Sequence, residues 1–304
     1  MPLSPRLRYR LDRWRSTIKN WFHSEPANAR PRMCPRCGSL VGVGATHCHQ
    51  CGASVNYSMA AASKSLSRFL PQTSPATYFI VALCGLLYAL SYVLTIRTGT
   101  APPSGSLFDL GGIGAPVLER LGASFPLVID LQQPWRLITA VFLHASLLHI
   151  GFNLWVLMDI GPVIEEMYGS ARYFFVFVVT GAFGYVASSA FGHFSIGASG
   201  GLLGLIGLLL AVTTKRSSAG LLMLRKQLIW WLVYIAILGL VLQGTDNAAH
   251  AGGFVAGFLL GKILSDRKPA GPSEERRAQA MGWIAGIAVA GSFALMLLGY
   301  FHGQ

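Results

Sequence analysis

Residues 247–264 of this 304-residue chain read NAAHAGGFVAGFLLGKIL. An apolar run of about 17–25 residues is long enough to cross a lipid bilayer as a helix. Gly253, Gly257 and Gly261 recur every four residues and share one helical face, a pattern that lets membrane helices approach closely. His250 is an ionisable group inside this apolar run, which makes it a candidate functional residue.

Six further apolar runs accompany this one, and together they predict a polytopic membrane protein. The seven runs cover residues 76–96, 146–164, 171–191, 199–214, 228–243, 247–264 and 281–301. The composition agrees, because 12% of the residues are charged, about half the share of a soluble domain. This low share of charged residues excludes intrinsic disorder, and together with the apolar runs it predicts an all-α membrane protein. The fourth and fifth runs are short, and we expect their ends to extend or to lie buried among neighbouring helices.

The chain before the first run divides into three predicted segments. Residues 1–30 are basic, with Leu and Trp at helical spacing, which fits either an amphipathic helix on an anionic membrane surface or a disordered arm. Residues 31–55 carry four of the five cysteines. Residues 56–75 are rich in Ser and Ala and are predicted to form a linker.

The four clustered cysteines form two CxxC pairs separated by ten residues: Cys34, Cys37, Cys48 and Cys51. Two such knuckles supply four thiolates, which suit a tetrahedral Zn²⁺ ion. The stretch is too short to build a hydrophobic core, so metal binding would supply most of its folding free energy. We predict a structural zinc ribbon with these four ligands, and two disulfides are the alternative. The sequence does not identify a partner for this ribbon.

The distribution of positive charge predicts the orientation in the membrane. With a cytoplasmic N-terminus, three of the 24 Lys and Arg residues fall outside, in segment 97–145, which leaves 21 inside. The C-terminus is then outside. This asymmetry explains the net charge of +12 without nucleic acid, and it places the cysteines in a reducing compartment where thiolates bind metal. We expect a multi-pass protein of a bacterial cell membrane.

Polar residues near the starts of the second, fourth and sixth runs are predicted to share one depth, because these runs all cross from outside to inside. They include Asn153, Ser199 and His250. A serine and a histidine can act as nucleophile and general base. The Ser199 N–H and the side chains of His149 and Asn153 can donate to an oxyanion. Taken alone, Ser199 in its glycine-rich setting also fits a helix-packing residue.

The motifs in their order resemble those of the rhomboid intramembrane serine proteases. The matching residues are Trp135-Arg136, His144-x4-His149-x3-Asn153, Glu165-x3-Gly169, Gly197-x-Ser199-Gly200 and Ala249-His250-x-Gly252-Gly253-x3-Gly257-x3-Gly261. The resemblance implies a six-helix core over residues 76–264. Residues 265–304 lie outside that shared core, and their apolar run predicts a loop and a seventh helix. The resemblance also implies that the glycine face of the sixth helix packs on the fourth helix.

The resemblance further implies roles for individual residues. Ser199 and His250 would form a catalytic dyad that needs no cofactor, with His149 and Asn153 in the oxyanion hole. Glu165 would be a structural hydrogen-bonding residue. Trp135 and Arg136 would belong to a loop in the membrane interface.

The implied activity is endoproteolysis of single-pass membrane proteins near the outer end of their transmembrane segment, within the bilayer. A catalytically inactive relative that binds transmembrane clients is the alternative, and a transporter is disfavoured because the hydropathy pattern shows no repeat. Leu203 stands where some family members have an aromatic residue that stacks on the histidine. Asp246 is expected at the rim of the site rather than as a third catalytic residue.

Overall fold

The computed structural model describes residues 32–34, 39–42, 45, 48–51, 74–100, 110–126, 131–215, 219–241 and 245–302. The chain divides into two compact units, Met1–Leu70 and Pro71–Gln304. The predicted arm 1–30 and nearly all of the predicted linker 56–75 lie outside the described residues. In the first unit, strand β1 (Arg32–Met33) pairs antiparallel with strand β2 (Leu40–Val41).

The described part of the second unit is helical. Its helices are α1 (Pro75–Thr98), α2 (Ala115–Arg120), α3 (Arg136–Thr139), α4 (Leu147–Tyr168), α5 (Ser170–Ala190), α6 (Ser199–Lys215), α7 (Ala219–Val241), α8 (Asn247–Ile263) and α9 (Pro272–His302), with a 3-10 turn at Ala140–Phe142. Five of them, α1, α4, α5, α7 and α9, are long and apolar enough to cross a membrane. The all-α membrane architecture agrees with the prediction.

The helices α6 and α8 have 17 residues each, at the lower limit for a membrane-spanning helix. Most of α6 is buried, including nearly every residue from Gly200 to Thr213. The expected burial of the short fourth run among its neighbours is therefore confirmed. The total of seven spans stays a prediction, because length and composition support five.

Two helices begin earlier than their apolar runs. Helix α7 starts at Ala219 rather than at residue 228, and α9 starts at Pro272 rather than at residue 281. The added turns contain charged side chains, among them Arg225 and Lys226, which were expected in a loop. Unbranched charged residues are good helix formers although they are not apolar, so hydropathy alone misplaces these helix ends.

Glycine residues set the spacing between α6 and α8. A Cβ atom at Gly253 would overlap the backbone carbonyl of Gly200, and one at Gly257 would overlap that of Gly204. Side chains larger than hydrogen would therefore force the two backbones apart. The predicted packing of the glycine face on the fourth apolar segment is confirmed.

Glu165, near the end of α4, fastens α1 to α4. Its carboxylate accepts hydrogen bonds from the N–H groups of Ala76 and Thr77, at 2.9 and 2.8 Å, and from the Thr77 hydroxyl at 2.8 Å. The first amides of a helix have no partner within the helix, so Glu165 satisfies groups that would otherwise be buried without one. Its expected structural role is confirmed.

Arg136 connects described parts of the segment between α1 and α4. Arg136 is 8% exposed, and its guanidinium donates to the carbonyls of Glu119 and Ala123 and to the side chain of Gln133. The same guanidinium lies over the Phe125 ring, 5.2 Å from its centroid. These bonds tie the end of α2 and the residues that follow it to the start of α3.

The last helix, α9, packs beside α5 and α3. A Cβ atom at Gly282 would come within 2.9 Å of the Ala171 side chain, so glycine permits close contact with α5. Further along α9, the Phe293 ring lies 6.0 Å from that of Phe142 in the 3-10 turn. Helix α9 is therefore an integral part of the bundle.

We predict that Gly257→Ala destabilises the bundle by about 3 kcal/mol, the upper end of the usual cost of overpacking, because neither backbone can yield locally. Unfolding in detergent, followed by circular dichroism, measures the change. Gly286→Ala in α9 is the matched control, since a Cβ atom there meets open space. Equal stability of the two variants would contradict the assignment of the α6–α8 spacing to glycine.

Candidate active site and metal site

Two side chains from the closely packed helices meet at the start of α6. Ser199 is the first residue of α6, and His250 lies in the first turn of α8. The Ser199 Oγ and His250 Nε2 atoms are 2.8 Å apart, within hydrogen-bonding distance. Both residues are half-buried. The glycine contacts that follow in both helices fix this distance.

The loop before Ser199 is held in place by bonds to its backbone. The Gly197 N–H donates to the Ala140 carbonyl at 2.9 Å, and the Gly197 carbonyl accepts from the Tyr185 hydroxyl at 2.6 Å. Gly197 has a φ of +121°, a conformation that favours glycine. The sequence analysis missed Tyr185. Its signal is a phenol within an apolar run, since a buried hydroxyl needs a hydrogen-bond partner.

A second support joins the same loop to the segment after α2. Ser124 and Ser195 form an isolated antiparallel bridge, in which each N–H donates to the other carbonyl at 3.0 Å. Nothing in the sequence pairs these two serines, since both stand in short irregular segments. The bridge couples the position of Ser199 to the loop between α1 and α4.

His149 lies against the loop that precedes Ser199. A Cβ atom at Gly197 would lie 2.6 Å from His149 Nε2, so the imidazole ring occupies the space beside this glycine. The Ser146 hydroxyl caps α4 by accepting from the His149 N–H at 3.3 Å. The ring of His144, which is fully buried, packs edge-on to that of His149 with 5.0 Å between centroids.

Asn153 lies one turn further along α4 and is 2% exposed. Its Nδ2 atom donates to the His149 carbonyl at 2.8 Å, so in this structure the amide donor bonds within its own helix. Its Oδ1 atom is buried and has no hydrogen-bond partner among the described residues. The structure thus brings Ser199, His250 and His149 together, with Asn153 directly below His149.

Asp246 caps the helix that carries His250. Its carboxylate accepts from the Ala249 N–H at 2.9 Å and from the Ser188 hydroxyl, and His193 Nδ1 is 3.5 Å away. Burial acts to raise the pKa of this carboxyl, but the hydrogen bonds together outweigh burial and lower the pKa below its ordinary value. Across the described residues, no hydrogen bond joins the carboxylate to the His250 ring. The geometry fits a rim residue.

This arrangement supplies the groups needed for nucleophilic attack. The imidazole is within reach of the hydroxyl proton, which is the requirement for an activated serine. Ser199 stands at a helix N-terminus, where backbone N–H groups lack partners within the helix and the helix dipole favours negative charge. An oxyanion formed beside Ser199 would therefore meet backbone donors as well as His149.

The first unit holds a separate cluster of sulfur atoms. The thiols of Cys34, Cys48 and Cys51 lie within 4.8 Å of one another, and the Cys34 and Cys51 sulfurs are 3.6 Å apart. Zn–S bonds of about 2.3 Å in a tetrahedron place the sulfurs roughly 3.8 Å apart, so the three thiols fit this ion. Cys37, the fourth predicted ligand, lies outside the described residues.

Comparison with known proteins gives the family of this chain. A family model described as "Rhomboid domain" matches residues 131–267, which contain all four predicted active-site residues. A Toxoplasma gondii protein, "Rhomboid-like protease 2", is 30% identical over 64% of this chain and 68% of its own length. The chain belongs to the rhomboid family. As a rhomboid with five helices able to span the bilayer, it is an integral multi-pass membrane protein.

Other rhomboid relatives come from distant organisms. "Rhomboid protease GluP" of Bacillus subtilis is 31% identical over 62% of this chain, and "RHOMBOID-like protein 6, mitochondrial" of Arabidopsis thaliana is 32% identical over 56%. The matched parts make up 34% and 57% of those two relatives. Because bacterial, plant and protist proteins all match, the expected bacterial cell membrane stays a prediction for this rhomboid.

Proposed function

We propose that this rhomboid is an intramembrane serine endopeptidase with Ser199 as the nucleophile and His250 as the general base. The observation that carries the proposal is the 2.8 Å distance between Ser199 Oγ and His250 Nε2. The two groups come from different helices, and backbone contacts between glycines hold those helices together. The word "protease" in the names of two relatives supports the same reaction class.

The proposed reaction has two stages. Ser199 Oγ attacks the carbonyl carbon of the scissile peptide while His250 Nε2 takes the hydroxyl proton. The C–N bond then breaks, His250 returns the proton to the leaving amine, and the acyl group remains on Ser199. In the second stage His250 activates a water molecule, whose oxygen attacks the ester carbon and releases the carboxylic acid and Ser199.

The oxyanion formed in each stage is proposed to accept hydrogen bonds from three groups. The Ser199 N–H lies at the start of α6. His149 is adjacent through its contact with Gly197, and Asn153 contributes after its amide leaves the His149 carbonyl. Fixed donors aimed at a developing charge are worth about 2.7–4 kcal/mol each in other serine hydrolases.

The substrates are proposed to be transmembrane segments of single-pass proteins, cut near the outer membrane face. Positive charge in the sequence supports a cytoplasmic N-terminus, which puts the starts of α6 and α8 towards the outside. Substrate would reach the site laterally, from the lipid, while water reaches it from outside. The presence of both Ser199 and His250 supports activity over an inactive role in binding clients.

Replacing either reactive group tests the proposal. We predict that Ser199→Ala and His250→Ala each lower kcat for a transmembrane substrate by at least about 10³-fold, because removing either member disables both stages. Cleavage in reconstituted vesicles is the measurement. Ser91→Ala is the matched control, since the hydroxyl of this buried serine donates to the Leu87 carbonyl of its own helix and to no other described residue. Cleavage at the wild-type rate by either active-site variant would refute the dyad.

A second substitution separates a dyad from a triad. We predict that Asp246→Asn retains kcat within about threefold, because Asn also caps a helix well. In a triad the same change would cost about 10⁴-fold in kcat, because the histidine would lose its orienting carboxylate. Circular dichroism on the same samples verifies folding. A loss approaching 10⁴-fold in folded protein would show that Asp246 orients His250 directly.

We further propose that the first unit binds one structural Zn²⁺ ion through Cys34, Cys37, Cys48 and Cys51. Support comes from the spacing of the sulfurs of Cys34, Cys48 and Cys51 and from the short antiparallel strands beside them. The ion would stabilise a fold that is too small for its own core, and catalysis at Ser199 would not involve it.

Metal analysis of the purified full-length protein tests the zinc site. We predict one zinc per chain in the wild type and less than one tenth of that in Cys34→Ser or Cys51→Ser, because the site loses a thiolate ligand. Cys84→Ala is the matched control, since this fifth cysteine is buried in α1. Zinc content that does not respond to either serine substitution would rule out these ligands.

A further inference from the structure

Asp159 places a carboxylate near the middle of α4, in a helix able to span the membrane. At 1.5 Å per residue, it lies about 18 Å along the helix from Leu147 and about 14 Å from Tyr168. Ionisable groups at such depth are costly and mark sites of interaction with substrates or ions. The proposed cleavage reaction makes no use of Asp159.

The carboxylate is only half satisfied by its neighbours. Gln227 Nε2 and Trp231 Nε1, both on α7, donate to the same oxygen, Oδ2, at 2.9 and 3.1 Å. Its second oxygen, Oδ1, accepts no hydrogen bond from any residue within the described ranges. The side chain is exposed on the surface of the bundle, so a donor from another molecule can reach Oδ1.

Aromatic side chains surround this carboxylate. A cleft of about 500 Å³ between α4 and α7 is lined by Trp155, Asp159, Gln227, Trp230, Trp231 and Tyr234. The Trp155 and Trp231 rings pack edge to face, with 5.0 Å between centroids. Trp155 and Trp230 are 62% and 61% exposed, so they line an open cleft rather than a closed core. Aromatic faces beside a carboxylate are the chemistry that binds a cation.

The cleft lies further along α4 than the active-site residues that this helix carries. The same helix carries His149 and Asn153, about 15 and 9 Å before Asp159 along the axis. Phe152, Trp155 and Asp159 follow at helical spacing, and the Phe152 ring contacts both Trp155 and Trp231. A helical segment lying along this strip from Ser199 would bring a residue about six to ten positions past the cut beside Asp159.

We propose that Asp159 determines substrate specificity by accepting a hydrogen bond from a donor side chain in the substrate's transmembrane segment, above all from lysine. The donor lies about six to ten residues after the scissile bond. A lipid headgroup is a poorer fit, because Asp159 lies about 14 Å or more along the axis from either end of α4. The inference rests on the proposed function, since it assigns the substrate of the same protease.

A series of substrates with one variable position tests the proposal. Each is a leucine-rich single-span protein with Lys, Gln or Met at one position from four to twelve residues after the cut. Met is the control for lysine, because it has similar length and no donor. For the wild type we expect kcat/KM with Lys to exceed that with Met by about threefold to twentyfold at positions six to ten, the range of hydrogen bonds between membrane helices.

The Asp159→Asn variant provides the decisive comparison. We expect the Lys-to-Met ratio to fall towards one, through KM rather than kcat, since the carboxylate acts on binding alone. Met158→Leu is the matched control, because Met158 is exposed on the same helix and does not line the cleft. It should keep the wild-type ratio. A wild type without preference, or an Asp159→Asn variant that slows all substrates equally, would overturn the proposal and leave Asp159 as a tie between α4 and α7.

Binding to the Ser199→Ala variant separates this inference from the proposed proteolysis. Labelled Lys and Met segments are titrated into vesicles that contain this variant, with and without Asp159→Asn. Tighter binding of the Lys segment, lost with Asp159→Asn, supports the specificity role even should the wild type cleave nothing. Equal binding of the two segments overturns it, whatever the outcome of the cleavage assay.

Discussion

Close contact between the backbones of α6 and α8 is the constraint on which the rest of the site depends. Gly253 and Gly257 of α8 lie so close to the α6 backbone at Gly200 and Gly204 that a Cβ atom at either α8 position would overlap it. This contact begins next to Ser199 and His250. It therefore brings the Ser199 Oγ and His250 Nε2 atoms, which are far apart in sequence, to within 2.8 Å of each other. In a membrane, where lipid is as apolar as leucine, such packing replaces the hydrophobic effect as the source of association.

Around that contact, the loop before Ser199 is held by backbone bonds from three directions. Ala140, Tyr185 and Ser124 each bond to it, and none of them belongs to α6 or α8. The position of the nucleophile therefore depends on α5 and on the segment between α1 and α4. Preorganised donors and a fixed nucleophile cost no reorganisation during the reaction, which is the main advantage of building a site on rigid elements.

The sequence predicts the helical fold and the meeting of Ser199 with His250, because both follow from local rules. Apolar length predicts the helices, and the shared depth of polar residues predicts which of them meet. The support from Tyr185 and the Ser124–Ser195 bridge escapes prediction, since each depends on tertiary contacts between segments of no distinctive pattern. The early starts of α7 and α9 escape it because hydropathy measures solvation, whereas helicity extends into charged turns. Asp159 could not be assigned a role from the sequence, because it is a single carboxylate in an apolar run and belongs to none of the motifs.

The shortness of α8, which exposes Val255, Leu259 and Ile263 on the surface of the bundle, has a consequence for the surrounding lipid. A helix of 17 residues is about 26 Å long, a few ångströms less than the hydrocarbon thickness of a typical bilayer. Hydrophobic mismatch of this kind is relieved by local thinning of the bilayer, at a modest cost per ångström. Longer acyl chains or sterol raise that cost, so the composition of the host membrane becomes a variable of the protein's stability, independent of any residue in the reaction.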